Sequence, residues 1–157
     1  MSHAGARAST RKLGAASAVA SVRDIVAVLT ASQRAFLGNP FVGRITDLRP
    51  DGSPHTTVVW VDVDDEGVSF NTAYGRAKPR YIGRDPRISL TVVDPENGYR
   101  WISISGRATL VDDGAEAQID RLALKYLGKE TYPFRADGER RVTVRIAPSR
   151  IEARGLD

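Results

Sequence analysis

The chain of 157 residues contains no cysteine and only two histidines, His3 and His55. Without cysteine the chain has no disulfide framework, no thiolate metal or iron–sulfur site and no cysteine nucleophile. Two histidines are too few for a histidine-rich metal centre, so we predict no metal site. Because cysteine-free chains need no oxidising compartment, we expect a cytoplasmic location.

Long apolar runs and the common catalytic motifs are also missing from the sequence. No window approaches the ~18 apolar residues that cross a membrane, so we expect no membrane span. The sequence has no nucleophile elbow, P-loop or dinucleotide-binding G-x-G-x-x-G motif. The carboxylate pairs Asp64–Asp65 and Asp112–Asp113 fall at a predicted turn and a predicted helix start. The sequence therefore assigns no catalytic residue.

The positive charge is concentrated near the start of the chain, although the net charge is +4. Four basic residues precede the first acid, Asp24, and the remaining 19 Lys and Arg residues match the 19 Asp and Glu residues in number. A nucleic-acid-binding domain would carry its basic residues on a folded face together with aromatic side chains. Because the chain from Asp24 onward is neutral, we expect no nucleic acid partner.

Residues 1–21 consist mostly of Ala, Ser, Gly and basic residues. So few large apolar side chains cannot offset the entropy lost on ordering. We therefore predict a disordered basic arm over residues 1–21 and one folded domain over residues 22–157.

Hydrophobic periodicity predicts two main helices in a mainly β domain. Apolar residues at helical spacing predict a first helix over Val22–Leu37. A second apolar stripe runs from Ile119 to Leu127, with an N-cap at Asp112 or Asp113 and a stop at Gly128. Alternation with a period of two predicts strands over Phe41–Leu48, Pro54–Val63, Val68–Thr72, Ile88–Val93, Trp101–Leu110 and Arg141–Ile146, with a short run over Arg150–Arg154. About six strands at hairpin spacing are typical of a small antiparallel barrel.

The segment between the third and fourth predicted strands is rich in basic residues. Pro79 suits the start of a short helix, which Pro86 would end. The first N–H groups of a helix attract anions, and Arg76, Lys78 and Arg80 surround this helix start. The segment is interpreted either as a phosphate-binding cradle or as a solvated basic loop.

Two further positions have a functional and a structural interpretation. His55 lies in a predicted strand, where it either hydrogen-bonds a heterocyclic ligand or packs as an ordinary strand histidine. Tyr99, Arg100 and Trp101 form a run that either clamps a planar ligand by stacking and cation–π contact or simply packs on the sheet.

An ordered series of phrases resembles a known family. The series covers about Leu29 to Ala153 and comprises Arg49-Pro-Asp-Gly-Ser-Pro54, Val59-Trp-Val-Asp62, Gly75-Arg-Ala-Lys78 with Arg80, Arg84-Asp-Pro-Arg-Ile-Ser-Leu90, Asp94-Pro95 with Tyr99-Arg100, and Ser105-Gly-Arg-Ala108. It resembles the flavin and deazaflavin oxidoreductases of the pyridoxamine 5′-phosphate oxidase superfamily. More narrowly, it is similar to the branch that uses coenzyme F420.

The resemblance implies a mainly β fold, a six-stranded antiparallel split β-barrel that forms a homodimer with two clefts at its interface. Each cleft is expected to hold one cofactor. The implied cofactor-binding residues fall into three groups: Arg76, Lys78 and Arg80 at the phosphate-bearing tail; His55, Thr56, Thr57, Val58, Asn71 and Thr72 beside the ring; and Tyr99, Arg100 and Trp101 from the partner subunit. The family's usual Asn after the Lys-x-Arg run is Tyr81 here.

The function implied by the resemblance is hydride transfer between F420 and a small organic acceptor. In such enzymes the cofactor supplies the chemistry and the protein supplies binding and orientation. The accompanying proton would come from solvent or from Tyr99 or His55. Two alternatives remain: an FMN-binding oxidoreductase of the same fold, and a carrier of F420 or flavin without catalysis. The Lys-poor composition, rich in Ala, Arg and Asp, favours F420.

Overall fold

A computed structural model of the protein describes residues 26–157, so the predicted arm over residues 1–21 lies outside the described residues. Within residues 26–157 the chain forms three helices and seven strands. In chain order they are α1 (Ala31–Gly38), β1 (Gly43–Leu48), β2 (Pro54–Val59), β3 (Val61–Asp64), β4 (Gly67–Ala73), α2 (Ala77–Arg84), β5 (Arg87–Val93), β6 (Trp101–Val111), α3 (Ala115–Leu127) and β7 (Arg141–Arg154).

All seven strands belong to one antiparallel sheet, in the order β2-β1-β5-β6-β7-β4-β3. The two outer strands, β2 and β3, are separated along the chain by Trp60 alone. One predicted strand, Pro54–Val63, therefore supplies both edges of the sheet, which must curl to bring them together. The predicted mainly β, split-barrel fold is confirmed, with its six strands divided into seven segments at Trp60.

The core lies inside the curled sheet and is made of alternate residues of its strands. Along β1 and β5 the buried and more exposed positions alternate, as a sheet with one covered face requires. The core continues onto α1 through Phe36 and Leu37. Its largest fully buried apolar side chains are Phe70, Leu37, Ile45, Leu90, Ile102, Ile104, Leu122 and Ile146.

The first helix is shorter than the predicted Val22–Leu37. Thr30 caps it, because its hydroxyl accepts a hydrogen bond from the Gln33 N–H while the Gln33 side chain accepts one from the Thr30 N–H. This capping box starts the helix at Ala31. The Val26 and Val28 side chains, 58% and 77% exposed, precede it and do not join the core.

The second predicted helix, α3, has its predicted stop but not its predicted start. Gly128 ends it in the left-handed conformation, with its N–H bonded to carbonyls of the last turn. The N-cap is Gly114 rather than Asp112 or Asp113. Asp112 instead accepts hydrogen bonds from the Tyr74 hydroxyl and the Arg140 guanidinium.

The last two predicted strands form one continuous strand, β7, which pairs with every residue of β6. The register shifts once, between Ser105 and Gly106, where Gly106 lies opposite Pro148. A Cβ atom at Gly106 would lie 2.1 Å from the Ala147 carbonyl oxygen. The irregular pairing therefore requires glycine at this position.

No helix within residues 26–157 is long and apolar enough to cross a membrane.

Gly106→Ala is expected to lower the free energy of unfolding by about 1–3 kcal/mol, because the backbone of β7 must move away from the new methyl group. Gly83→Ala is the matched control, because Gly83 is helical and a Cβ there meets nothing within 4 Å. The control is expected to gain about 0.5–1 kcal/mol from the better helix propensity of Ala. Urea denaturation of both variants measures the difference, and equal stabilities would contradict this account of the strand irregularity.

Candidate functional site

The chain has a cleft beside the break between β2 and β3. Its cavity volume is about 280 Å³. The cleft lies between that break, the start of α2, one face of α3 and the segment that joins α3 to β7. Its lining residues are Val42, Val58, Val59, Trp60, Asn71, Thr72, Arg76, Lys78, Ile119, Leu122, Tyr132, Phe134 and Arg141.

Five of the twelve residues implied by the family resemblance line this cleft: Val58, Asn71, Thr72, Arg76 and Lys78. They come from the end of β2, the end of β4 and the start of α2. The structure does not bring the other seven to this cleft of the single chain: His55, Thr56, Thr57, Arg80, Tyr99, Arg100 and Trp101.

His55 lies between the sheet and α2, where protein groups contact its ring. Its Nδ1 is 2.7 Å from the carboxylate oxygen Oδ1 of the fully buried Asp47, which faces it across the β1–β2 pair. The Tyr81 ring packs edge-on against the imidazole, with 5.3 Å between ring centroids. These contacts engage the imidazole in the single chain, and a role of His55 beside a cofactor ring stays a prediction.

The two threonines that follow His55 lie on opposite faces of β2. The Thr56 hydroxyl is 2.9 Å from the hydroxyl of Thr46 on β1. The Thr57 hydroxyl is buried and has no partner among the described residues. Arg80 has its guanidinium 5.9 Å from the centre of the Tyr81 ring.

The Tyr99-Arg100-Trp101 run lies at the turn between β5 and β6. Arg100 donates hydrogen bonds to the Asp94 carboxylate and to the Gly155 carbonyl. Tyr99 is 73% exposed and faces the Arg154 guanidinium. In the single chain this run is bound to its own turn through Asp94 and to the end of the chain through Arg154 and Gly155. A role from the partner subunit therefore stays a prediction.

The start of α2 presents backbone donors beside the cleft. Gly75, with a φ of 89°, makes the turn out of β4 that only glycine adopts readily. The helix begins at Ala77, so Pro79 occupies its third position rather than its first. The helix therefore begins two residues earlier than predicted. Both positions suit proline, because a first-turn proline loses no intrahelical hydrogen bond. The N–H groups of Ala77 and Lys78 have no partner within the helix.

Lys78 carries a half-buried ammonium group into the cleft. Burial lowers the pKa of Lys78 below its ordinary value, and the neighbouring Arg76 adds to this effect, while the Asp47 carboxylate opposes it. No described carboxylate forms an ion pair with Lys78, whereas Arg76 forms one with Glu139. An anion in the cleft would give Lys78 the direct ion pair that it does not form with Asp47.

Arg76 and Arg141 share one carboxylate at the edge of the cleft. The two guanidinium groups lie 2.9 Å and 2.8 Å from the two oxygens of Glu139. Burial acts to raise the pKa of Glu139, but the Ala136 N–H and the two guanidinium charges outweigh it and hold the pKa below its usual value. Glu139 therefore stays ionised and fixes both arginines at the cleft.

An aromatic wall, consisting of Trp60, Tyr126, Tyr132 and Phe134, lies beside the cleft. Trp60 stacks on Tyr126 with 5.2 Å between ring centroids and an angle of 8° between ring planes. The Tyr132 ring meets Trp60 edge-on at 6.0 Å and Phe134 edge-on at 5.7 Å. Such a wall suits a planar conjugated ring, because stacked and edge-on aromatic pairs are favourable.

Lys125 and Tyr126 of α3 form hydrogen bonds with backbone groups at and near the break between β2 and β3. The Lys125 ammonium donates to the carbonyls of Leu37 and Val61, each at 2.7 Å. The Tyr126 hydroxyl accepts from the Val61 N–H and donates to the Phe41 carbonyl. Burial lowers the pKa of Lys125 to about 8, although the negative charge of Asp62 acts to raise it.

Sequence reasoning missed eight lining residues: Val42, Val59, Trp60, Ile119, Leu122, Tyr132, Phe134 and Arg141. Trp60 belongs to the Val59–Asp62 phrase that supports the family resemblance, which is the one signal that could have identified it. The sequence predicts for Arg141 only a place in a strand. Nothing in the sequence links it to α2, because the two meet only when β4 pairs with β7.

The family model of pyridoxamine 5′-phosphate oxidase matches residues 29–155. The chain belongs to this family. The match covers the whole sheet, all three helices and every residue that lines the cleft.

Two reductases are similar to this chain over most of their length. An F420H(2)-dependent biliverdin reductase from Mycobacterium tuberculosis is 28% identical over 120 residues, which span 74% of this chain and 82% of that protein. A solved structure described as an F420 reductase is 30% identical, with a TM-score of 0.69, over 80% of this chain and 98% of that one. The haem storage protein HutZ from Vibrio cholerae is 13% identical, with a TM-score of 0.58 over 78% of this chain and 92% of that one, and shares the fold alone.

Lys125 is expected to make stability rise with pH in a defined window. Its pKa is lower in the folded state than its ordinary value of 10.5, so the unfolded chain binds more protons between about pH 8 and 10.5. The free energy of unfolding of the wild type, relative to Lys125→Met, is therefore expected to increase across this window. Urea denaturation of both proteins at several pH values measures the difference, and parallel pH profiles would contradict the account.

Proposed function

We propose that this protein is an oxidoreductase that binds the deazaflavin coenzyme F420 in the cleft and uses it for hydride transfer with a small organic acceptor. The observation that carries the proposal is Lys78. It is a half-buried cation without a described ion-pair partner at a helix start, in a cleft that also contains Arg76 and Arg141. The F420 named in the two reductase relatives supports this choice of cofactor.

The residues of the cleft fit a molecule with an anionic tail and a planar ring. Lys78 and Arg76, together with the free N–H groups at the start of α2, would hold the phosphate-bearing tail. Trp60, Tyr132 and Phe134 offer apolar and aromatic surface to a ring. Charge and aromatic surface are thus supplied by different elements of one cleft.

The protein's part in the reaction is binding, orientation and exclusion of water. When bound, the deazaflavin supplies the hydride chemistry. The aromatic wall and the apolar side chains of Ile119 and Leu122 would exclude water from the ring. No proton donor is assigned, because Tyr99 and His55 do not line the cleft of the single chain.

Binding of F420 without catalysis, and binding of FMN instead, are the alternatives. F420 and FMN would both bind the cationic site through their phosphate-bearing tails, so their relative affinities must distinguish them. Titration with F420 is expected to give a dissociation constant in the micromolar range or below and clearly tighter than that for FMN in the same buffer. Tighter binding of FMN would contradict the assignment of F420. Turnover of F420H₂ with candidate acceptors separates an enzyme from a carrier.

Lys78→Ala is expected to weaken F420 binding by roughly 10- to 150-fold, because a charge-assisted contact is worth ~1.5–3 kcal/mol. Arg84→Ala is the control. Arg84 belongs to the same helix, but its guanidinium donates to the Pro50 carbonyl, away from the cleft lining. Equal affinities of the two variants for F420 would contradict phosphate binding by Lys78 and would favour the interpretation of the α2 segment as a solvated basic loop.

A homodimer is expected because exposed apolar side chains surround the cleft. Val42, Val58 and Phe134 are 45%, 68% and 66% exposed, and a second copy of the chain would cover them. Light scattering at micromolar concentration is expected to give twice the chain mass of 17.1 kDa. A measured mass of one chain would contradict the proposed dimer.

A further inference from the structure

The segment that joins α3 to β7, residues 128–140, carries two rings of the aromatic wall, Tyr132 and Phe134. This segment contains no helix or strand. Tyr132 is partly buried, whereas Phe134 is 66% exposed, so little of the described protein covers the Phe134 ring. Both side chains line the cleft. Because they belong to no regular element, their positions depend on the contacts that hold this segment.

Two acids of α3, Glu116 and Asp120, hold the middle of the segment. Among the described residues, every hydrogen bond made by residues 130–135 goes to one of these two acids. Asp120 Oδ1 accepts from the Tyr132 N–H at 2.8 Å and from the Arg135 guanidinium at 2.9 Å. Glu116 binds the same guanidinium. The two acids are four residues apart and therefore lie on one face of α3, where they share Arg135.

Asp120 fixes the chain on both sides of Phe134. One oxygen of its carboxylate binds the backbone of Tyr132, two residues before Phe134, and the side chain of Arg135, the residue that follows. Pro133 lies between the two aromatic residues, and its ring restricts the backbone there. The freedom of the Phe134 backbone is therefore limited at both ends by a residue that does not itself line the cleft.

The Tyr132 ring is held from the opposite side by groups of the sheet. The Arg141 guanidinium lies 4.4 Å from the centre of this ring, and Trp60 meets it edge-on. The bond from the Tyr132 N–H to Asp120 thus fixes the backbone of a residue whose ring is packed against the cleft. Together these contacts set the direction of the ring before any ligand is present.

We propose that Asp120 is a positioning residue, which holds Tyr132 and Phe134 in place for the deazaflavin ring before that ring binds. A wall that is already ordered loses less conformational entropy when a ligand binds to it. This inference rests on the proposed function and adds to it the group that prepares the aromatic wall for the ring.

The test compares F420 with the 8-hydroxy-5-deazaflavin ring that lacks the phosphate-bearing tail, here called the tail-free ring. Asp120→Ala is expected to weaken the binding of both compounds by about the same factor, roughly 5- to 50-fold, because the wall must then be ordered when the ring binds. Lys78→Ala is expected to weaken the binding of F420 alone, because the tail-free ring has no phosphate. Fluorescence titration of each variant with each compound measures the affinities.

Asp120→Asn distinguishes positioning from the mere loss of a surface charge. Its amide oxygen can still accept from the Tyr132 N–H although the negative charge is gone. The affinities of this variant for both compounds are expected to lie within about threefold of those of the wild type. Binding of the tail-free ring as weak as in Asp120→Ala would contradict the inference.

Asp85→Ala is the matched control. Asp85 also accepts from a backbone N–H and a guanidinium, both of Arg87, but it lies at the C-terminal end of α2 and outside the cleft lining. The control is expected to keep the wild-type affinity for the tail-free ring. Equal affinities of Asp120→Ala and Asp85→Ala for that ring would overturn the inference.

Arg135→Met tests the second attachment of the segment without a change in α3. The Arg135 side chain is 38% exposed, so its replacement opens no buried cavity. This variant is expected to weaken binding of the tail-free ring about 3- to 10-fold, because Phe134 loses its attachment on one side. Unchanged binding of the ring would contradict the inference, even if Asp120→Ala does not fold.

The outcomes separate this inference from the proposed function. If wild-type protein binds F420 and Asp120→Ala binds both compounds equally well, the inference is wrong and the function stands. If Asp120→Ala weakens binding of F420 but not of the tail-free ring, Asp120 acts on the tail site and the inference is again wrong. If wild-type protein does not bind F420, the inference and the proposed function are both wrong.

Discussion

One continuous segment, β2-Trp60-β3, supplies both edges of the sheet, and the rest of the structure depends on its interruption at Trp60. At Trp60 the strand leaves β1 and begins to pair with β4. Val61, the first residue of β3, lies on an edge, where its N–H and C=O would otherwise lack partners. The Tyr126 hydroxyl and the Lys125 ammonium bind these two groups. The closure of the sheet therefore requires α3 to lie where it does.

The cleft follows from this closure. Interrupting the strand turns Trp60 toward α3, where Tyr126 stacks on it. Tyr132, from the segment that follows α3, meets Trp60 edge-on. The same helix places Gln118 over the outer face of β4 and fixes the Asn71 amide. One helix thus contacts both the aromatic wall and Asn71, a polar residue of the cleft lining. A change at the strand break is expected to affect ligand binding and stability together.

The charges at the cleft differ in whether the protein already neutralises them. Arg76 and Arg141 are held by Glu139, so they are fixed in place, and part of their attraction for an anion is already used. Lys78 is partly desolvated and has no such partner, which makes it the group with most to gain from an anionic ligand. If the proposed function holds, this difference between Lys78 and the two arginines would favour one bound anion over general attraction to polyanions.

The sequence by itself determined the mainly β fold, the positions of most strands, the basic segment at α2 and, through the phrases along the chain, the family. These features depend on local periodicity, on turn-forming residues and on short runs of sequence, all of which can be read without distant contacts. Only the tertiary structure decided that Pro54–Val63 divides at Trp60, that α1 begins at Ala31 and that β7 is one strand. It also decided that Arg141, Trp60 and Tyr132 join Lys78 in one cleft. The physical reason is that these outcomes depend on pairing and packing between residues far apart in the chain, which periodicity does not record.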